Sequence, residues 1–284
     1  MTEKQQSEAY RTAVRQLITA NHILHYHKVV DAYGHVSVRS PDDAEVYILS
    51  GNRAPALVSS ATDLIEYRVS DSSPVDHSAG SGFLERFIHS EIYKRFPEVN
   101  CVIHSHAEAV LPYVAGNVEM KPTFHIAGFL GTKVPVYNIA TSYEKMSSYE
   151  KEVQQDMLIS NDQYGFDLAN HFSKRGSWSC DHNVVLMTNH GFTAVGSSIK
   201  QSVYRAVYTC VNADVQTKAM MISSARASQG ASRSEPVYLT EKQARGCQKM
   251  NDATMDRPWG LWEREVEVCP LYRNDELESK TSAP

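Results

Sequence analysis

The sequence predicts an α/β layered fold, in which segments with helical and strand periodicity alternate along most of the chain. The clearest segment runs from Leu84 to Phe96, where apolar residues recur every four positions, as in an amphipathic helix. Pro97 ends this pattern, and the compact apolar run at 99–103 is typical of a buried strand. A second buried strand at 183–188 is followed by a long helical pattern at 200–224, which supports the same layered arrangement.

The other elements follow in order along the chain from the same periodicities. Residues 7–30 have apolar side chains at helical spacing and predict the first helix. Residues 34–39 alternate between apolar and polar side chains, which predicts a strand with one buried face. Residues 51–82 are rich in Ser, Asp, Gly and Pro, so we expect mostly loop there. Further strands are predicted at 44–49 and 131–139, and further helices at 61–65, 107–114 and 167–174.

The composition argues against several classes of protein. Hydrophobic residues make up 42% and charged residues 21% of the chain, and the formal net charge is -5. Nucleic-acid and anionic-membrane binding normally require clustered Lys and Arg, which this balance does not favour. The five cysteines are widely spaced without a CxxC pair, so neither a zinc ribbon nor a disulfide framework is indicated. No segment approaches the ~20 apolar residues of a membrane span, and we expect a cytoplasmic protein.

Three histidines are candidates for one metal site. His104 and His106 stand at the end of the strand predicted at 99–103. Residues two apart in a strand project to the same face, so both imidazoles can point at one position in space. His190 directly follows the strand predicted at 183–188 and precedes Gly191, whose missing side chain allows a close approach of the backbone.

We therefore predict that His104, His106 and His190 bind one divalent metal ion. Three neutral imidazoles leave the full charge of the ion available, which is typical of a catalytic rather than a structural site. Zinc is the first expectation, and manganese, cobalt, nickel or iron could occupy the same ligands.

Glu85 is the candidate for proton transfer. It lies in the first turn of the helix predicted before the strand of His104, where a helix N-terminus stabilises a carboxylate. As a functional residue, Glu85 would be a general acid or base, or an additional metal ligand that the substrate displaces.

In combination, these residues resemble the class II aldolase and adducin-head family. The resemblance rests on the run from Leu84 to His106, on Thr-Asn-His190-Gly-Phe and on Gly34-His-Val-Ser-Val-Arg39, and it covers roughly residues 10–225. It implies that His104, His106 and His190 are the metal ligands and that Glu85 is the acid/base glutamate.

The resemblance also implies the arrangement of the whole molecule. The expected fold is a three-layer α/β/α domain around a central, mainly antiparallel sheet, which neither composition nor periodicity predicts. The expected assembly is a homotetramer with sites at subunit interfaces. We expect this domain to span residues 1–235 and a C-terminal extension, residues 236–284, to pack on it or on a neighbouring subunit, with a frayed end.

The residues before Glu85 depart from those of the sugar-phosphate aldolases in this family. Those enzymes have Gly-Asn in the first strand motif and serine-rich turns that hold phosphate, one of them directly before the glutamate. Here the first motif reads Gly34-His35, and Gly82-Phe83-Leu84 precedes Glu85. Apolar side chains cannot donate hydrogen bonds to a phosphate, so we expect a substrate without one.

With these departures and the segment Phe124-His125-Ile-Ala-Gly128, the sequence is more similar to a decarboxylase-like branch of the family. Members of that branch act on hydroxylated or aromatic carboxylates. His125 then becomes a second catalytic candidate, which could protonate a carbanion or hold a leaving carboxylate, although a hydrogen-bonded core histidine fits equally well. Candidate substrate-binding residues are assigned to the first strand motif and to one serine turn: His35, Ser37, Ser59 and Ser60.

Other polar and aromatic residues are given ordinary structural roles. The helical spacing of His22, His25 and His27 scatters their side chains and disfavours a second metal site. His89 and Glu91 are predicted on the solvated side of their helix. The pair Trp259 and Trp262 is expected to anchor packing, and could cover a neighbouring subunit's site.

The leading hypothesis is a metal-dependent carbon–carbon lyase, decarboxylase-like, that acts on a small non-phosphorylated hydroxy- or keto-carboxylate through a metal-stabilised enolate. An aldolase or epimerase for an unusual sugar or aldehyde is the alternative among enzymes. An oxygen-using iron or manganese enzyme is less favoured, because its usual ligands are two histidines and one carboxylate. A non-catalytic adducin-head-like binding protein is the alternative from another class, and the acidic end of the chain (Asp275, Glu276, Glu278) argues against it.

Overall fold

A seven-stranded sheet forms the centre of the computed structural model, which describes residues 6–80, 82–144, 154–229 and 235–278. Its strands, in chain order, are β1 (His35–Arg39), β2 (Val46–Ser50), β3 (Leu64–Arg68), β4 (Cys101–Ser105), β5 (Val136–Tyr137), β6 (Val184–Met187) and β7 (Gly191–Gly196). Their spatial order is β3-β2-β1-β4-β7-β6-β5. Within the described residues, only β5 and β6 pair in parallel. The predicted mainly antiparallel sheet is confirmed.

Helices cover both faces of this sheet and complete the three layers that the resemblance implied. The helices are α1 (Glu8–Tyr26), α2 (Arg86–Arg95), α3 (Leu111–Ala115), α4 (Ala140–Tyr143), α5 (Asp162–Asn170), α6 (Ile199–Ser228), α7 (Glu241–Asp252), α8 (Asp256–Glu267) and α9 (Asp275–Glu278). One apolar core joins the sheet to α1, α3, α6 and α8, and a second core joins it to α2, α4 and α5. In the part of the chain that is described, no helix is long and apolar enough to cross a membrane.

Strand β1 is buried on both faces, so the predicted half-buried strand is wrong. Val36 and Val38 belong to the core beneath α1, while the side chains of His35 and Ser37 lie on the opposite face beneath α2. The residues on that second face are polar because they form hydrogen bonds with one another rather than with water. Alternation of polarity alone cannot distinguish these two situations.

Helix α2 is enclosed between the sheet and α5, which corrects the predicted surface position of two of its residues. His89 is 0% and Glu91 5% exposed. Helix α5 approaches α2 so closely that a Cβ atom at Gly165 would lie 2.5 Å from the carbonyl oxygen of Phe87. This contact covers Glu91, whereas His89 faces the sheet and bonds to His35 and Ser37 of β1.

Three strands differ from the predictions. Strand β3 lies within the segment predicted as loop, because its five residues are surrounded by turn-forming ones. Strand β7 was not predicted, since it consists partly of small residues and is specified by antiparallel pairing with β4 and β6. The strand predicted at 131–139 is reduced to Val136–Tyr137.

The C-terminal helices α7 to α9 pack on the rest of the chain. Trp259 and Trp262 are 3% and 5% exposed and lie in the core that contains α1 and α6. The amide of Asn274 donates hydrogen bonds to the carbonyl oxygen of Arg15 and the hydroxyl of Thr19 on α1. The end that was expected to fray, residues 279–284, lies outside the described residues.

Candidate metal centre

The ends of two neighbouring strands bring three histidines together. His104 lies on β4, His106 follows this strand, and His190 lies in the turn between β6 and β7. The Nε2 atoms of His104 and His106 are 2.8 Å apart, and those of His106 and His190 are 3.0 Å apart. The two-residue spacing and the strand-end position of His190 thus lead to one cluster, as the sequence predicted.

Gly191 permits the approach of the two strand ends. A Cβ atom at this residue would lie only 2.0 Å from the carbonyl oxygen of Ser105, and its φ angle is +154°. Any side chain here would therefore separate the turn of His190 from the end of β4 and from His106.

Glu85 completes the cluster from the N-terminus of α2. Its carboxylate oxygens lie 3.5 Å from Nε2 of His104 and 3.5 Å from Nε2 of His190. Glu85 is only 7% exposed. The backbone N–H of Ile159 donates a hydrogen bond to its Oε1 at 3.0 Å, which fixes the carboxylate. One ligand atom from each of the four side chains lies within 4.8 Å of the others, and no other such group occurs among the described residues.

The chemistry of this donor set fits a divalent cation. Burial, and then the neighbouring imidazoles, lower the pKa of His104 and of His106, which keeps both rings neutral. The hydroxyl of Thr193 lies 3.4 Å from Nδ1 of His104 and can accept its proton, leaving the Nε2 lone pair free for a ligand. Two imidazole nitrogens bound at ~2.0–2.1 Å to one zinc ion are themselves roughly 3 Å apart, which agrees with the separations of the three Nε2 atoms.

The cluster opens into a cleft of about 990 Å³ through His106. The end of α1 and the residues that follow it contribute His27, Lys28 and Asp31 to its lining, and α6 contributes Asp214. A volume of this size admits a small organic molecule beside the histidines.

A chain of buried polar side chains leads away from Glu85 behind the cluster. Nε2 of His35 lies 4.0 Å from Oε2 of Glu85, and Nδ1 of His35 lies 2.7 Å from Nε2 of His89. Nδ1 of His89 is 2.6 Å from the hydroxyl of Ser37, which is 2.7 Å from the hydroxyl of Tyr93. Burial lowers the pKa of His89 to about 3 and that of His35 well below its usual value, so both rings are neutral.

The other predicted site residues lie elsewhere in the chain. Ser59 and Ser60 form hydrogen bonds with the carboxylate of Asp63, where they cap a short 3-10 helix. His125 begins another 3-10 helix with an exposed side chain, and its carbonyl oxygen accepts a hydrogen bond from Asn251. No contact joins these residues to the cluster within the described residues of one chain, so their roles stay predictions.

Several residues of the site were not predicted, and one pattern could have indicated two of them. Glu85, His89 and Tyr93 are four apart and therefore lie along one face of α2. Thr193 and Ile159 give no such local signal, because they reach the cluster through sheet pairing and a long connection. On α1, His22 forms a hydrogen bond with the carbonyl oxygen of Val58, and His25 with the hydroxyl of Tyr272.

Comparison with known proteins assigns the family. The model of the class II aldolase and adducin N-terminal domain matches residues 15–217. A relative named decarboxylase tropJ, from Talaromyces stipitatus, is 46% identical over 262 residues, which are 92% of this chain and 96% of the relative. The chain therefore belongs to the class II aldolase and adducin family.

Solved structures share the fold at low sequence identity. An aldolase II superfamily protein from Pseudomonas syringae superposes with a TM-score of 0.71 at 16% identity, over 95% of this chain and 98% of that one. L-fuculose 1-phosphate aldolase from Glaciozyma antarctica gives a TM-score of 0.66 at 18% identity, with 96% of each chain covered. Family membership and the relative named as a decarboxylase identify this chain as an enzyme of the lyase type.

Proposed function

We propose that this protein is a carbon–carbon lyase that removes carbon dioxide from a small, non-phosphorylated hydroxy- or keto-carboxylate. The observation that supports it is the cluster of Glu85 with His104, His106 and His190 beside a cleft of about 990 Å³. The relative named as a decarboxylase supports the same reaction over nearly the whole chain.

His104, His106 and His190 would hold one divalent metal ion, with zinc as the first candidate and manganese, cobalt, nickel or iron as alternatives. When bound, such an ion acts as a Lewis acid that stabilises negative charge on an oxygen next to the reacting carbon. The three imidazoles add no negative charge, so the charge of the ion is retained for the substrate.

Glu85 is the residue proposed to move the proton. When the bond between carbon and the carboxylate breaks, the electron pair stays on that carbon, and a proton must replace carbon dioxide there. Oε1 of Glu85 is held by the N–H of Ile159, whereas Oε2 lies on the side of His104 and His35. Glu85 can deliver a proton from this oxygen and regain one after the product leaves.

The surroundings of Glu85 support a substrate without phosphate. The ring of Phe83 packs against that of His35, with a centroid distance of 4.8 Å. Leu84 is 61% exposed, and its side chain has no polar group that could bind a phosphate. Arg86 donates its hydrogen bonds to the carbonyl oxygens of Ser72 and Phe83. These contacts supply an apolar wall and no phosphate cradle.

Three further features are proposals that rest on the resemblance and the composition. They are a homotetrameric assembly, a cytoplasmic location, and a family domain over residues 1–235 with a C-terminal extension. In a tetramer, the exposed His125 could reach the site of another subunit, which would agree with its proposed catalytic role.

The proposed function is tested by incubating metal-loaded enzyme with a panel of 2-hydroxybenzoates and 2-oxo acids. Carbon dioxide release that stops on chelation and returns with the metal supports decarboxylation. Release of an aldehyde instead, without carbon dioxide, would replace it by the aldolase alternative. Consumption of oxygen with ferrous iron would indicate an oxygen-using enzyme.

A further inference from the structure

We propose that His35 is a substrate-contacting residue, held as a permanent hydrogen-bond donor by a buried relay of His89, Ser37 and Tyr93. This inference depends on the proposed function in one respect, the chemical nature of the substrate oxygen that His35 contacts. The observation that leads to it concerns one atom: Nε2 of His35 is buried and has no hydrogen-bond partner among the described residues. A buried N–H without a partner is costly, so it indicates a site for a ligand.

The direction of each hydrogen bond in the relay can be deduced from one of its ends. Tyr93 is the end of the relay that lies farthest from Glu85. Among the described residues, its hydroxyl has one hydrogen-bond partner, the hydroxyl of Ser37. If Tyr93 accepted this bond, its own buried proton would have no acceptor. Tyr93 therefore donates to Ser37, and Ser37 donates to Nδ1 of His89.

The proton positions on the two imidazoles follow from this direction. A neutral imidazole that accepts at Nδ1 has its proton on Nε2, so His89 donates from Nε2 to Nδ1 of His35. His35 in turn has its proton on Nε2, the atom that faces Glu85.

The ring of His35 lies beside the cluster without a direct hydrogen bond to it. Its Nε2 lies 4.0 Å from Oε2 of Glu85, which is longer than a hydrogen bond. The rings of Phe83 and His104 pack against it, with centroids at 4.8 Å and 5.1 Å. An anionic oxygen of a carboxylate substrate, placed beside Glu85 and next to the histidine cluster, would accept the N–H of His35.

The division of roles in the relay is specific. His35 would contact the substrate, whereas His89, Ser37 and Tyr93 are positioning residues that act through it. The tautomer of His35 tests whether the relay has this direction. The affinity for a carboxylate ligand tests whether His35 contacts the substrate.

The first experiment measures that tautomer without any substrate. Metal-loaded protein labelled with nitrogen-15 in histidine is observed by NMR, and the His35 resonances are assigned by their loss in His35→Gln. We expect protonated Nε2 and unprotonated Nδ1 in the native protein. Protonated Nδ1 with unprotonated Nε2 would overturn the relay, even if the protein proves to be a decarboxylase.

The second experiment uses oxalate, a small dicarboxylate, as the probe of the metal-loaded enzyme. His89→Leu removes the donor to His35, and we expect oxalate to bind about 10- to 100-fold more weakly, the effect of losing one hydrogen bond to a charged group. His89→Gln keeps an N–H donor and should recover most of the affinity. The matched control is His22→Gln, which replaces a buried histidine outside the relay.

A third variant keeps the proposal testable if His89→Leu does not fold. Ser37→Ala removes only one oxygen atom and should loosen the His35 tautomer into a mixture. Unchanged oxalate affinity and an unchanged tautomer in both Ser37→Ala and His89→Leu would contradict the proposal. If no carboxylate of the panel is decarboxylated but these shifts occur, the relay stands and only the proposed reaction fails.

Discussion

At the scale of single residues, the site combines groups that are individually ordinary. His104 and His106 are two apart on a strand, and Glu85 stands at a helix start, yet the distances of 2.8 to 3.5 Å between them arise only where these elements meet. A divalent cation is one partner that all these side chains can bind together through their Nε2 lone pairs and the Glu85 carboxylate. This is the physical reason for assigning a metal to the cluster.

Glu85→Gln separates metal binding from proton transfer. The amide keeps the size of the side chain and the contact with the N–H of Ile159, so the metal content should remain that of the native protein. Without a proton to exchange, the rate of carbon dioxide release should fall about 10²- to 10⁴-fold, the usual contribution of a general acid or base. An unchanged rate would mean that another group transfers the proton, and His125 would be the first candidate to test.

At the scale of elements, two contacts between secondary structures create the site. The turn of His190 lies against the end of β4, and α2 lies between the sheet and α5. Neither contact has a signature in a single segment of sequence, although each depends on a glycine, Gly191 or Gly165, at the point of closest approach.

Gly191→Ala tests the first of these contacts. Its Cβ atom would lie 2.0 Å from the carbonyl oxygen of Ser105, so β7 or the turn must move. We expect the free energy of unfolding to fall by about 3 kcal/mol and metal affinity to fall as well. The control is Gly260→Ala in α8, where a Cβ atom meets nothing within 4 Å and the helix should be slightly stabilised. Equal stability of the two variants by urea unfolding would exclude the close contact.

The sequence predicted the elements that have a local signature and left out those that depend on tertiary contact. The helix from Leu84 to Phe96 and the strands before His104 and His190 follow from their apolar patterns, and with them all four cluster residues. His89 was predicted on the surface because its partners His35 and Ser37 on β1 are distant in sequence. The order of the strands came from family resemblance, since periodicity does not specify which strands pair.

At the scale of the whole molecule, buried neutral histidines link stability to pH. Burial lowers the pKa of His22 to about 4, although its hydrogen bond with the carbonyl oxygen of Val58 opposes this shift. In the unfolded chain a histidine has a pKa of about 6.5. Between these two values the unfolded state binds the proton and the folded state does not, so stability decreases as the pH falls from 6.5 towards 4.

His22→Gln should remove part of this pH dependence. The loss from His22 alone is on the order of 3 kcal/mol at the acid end, and buried His89 adds to it in the native protein. Urea unfolding at a series of pH values should give a shallower slope for His22→Gln than for the native chain. The exposed His77→Gln serves as the control and should keep the native slope. Identical slopes for all three proteins would contradict the assigned cause.

The measurement that most directly tests the central claim is the metal content of protein purified without chelators, together with that of His104→Ala. We predict one divalent ion per chain in the native protein, retained in the control His77→Ala and lost in His104→Ala while the fold persists. A native protein without stoichiometric metal, or a His104→Ala variant with unchanged metal, would contradict the account.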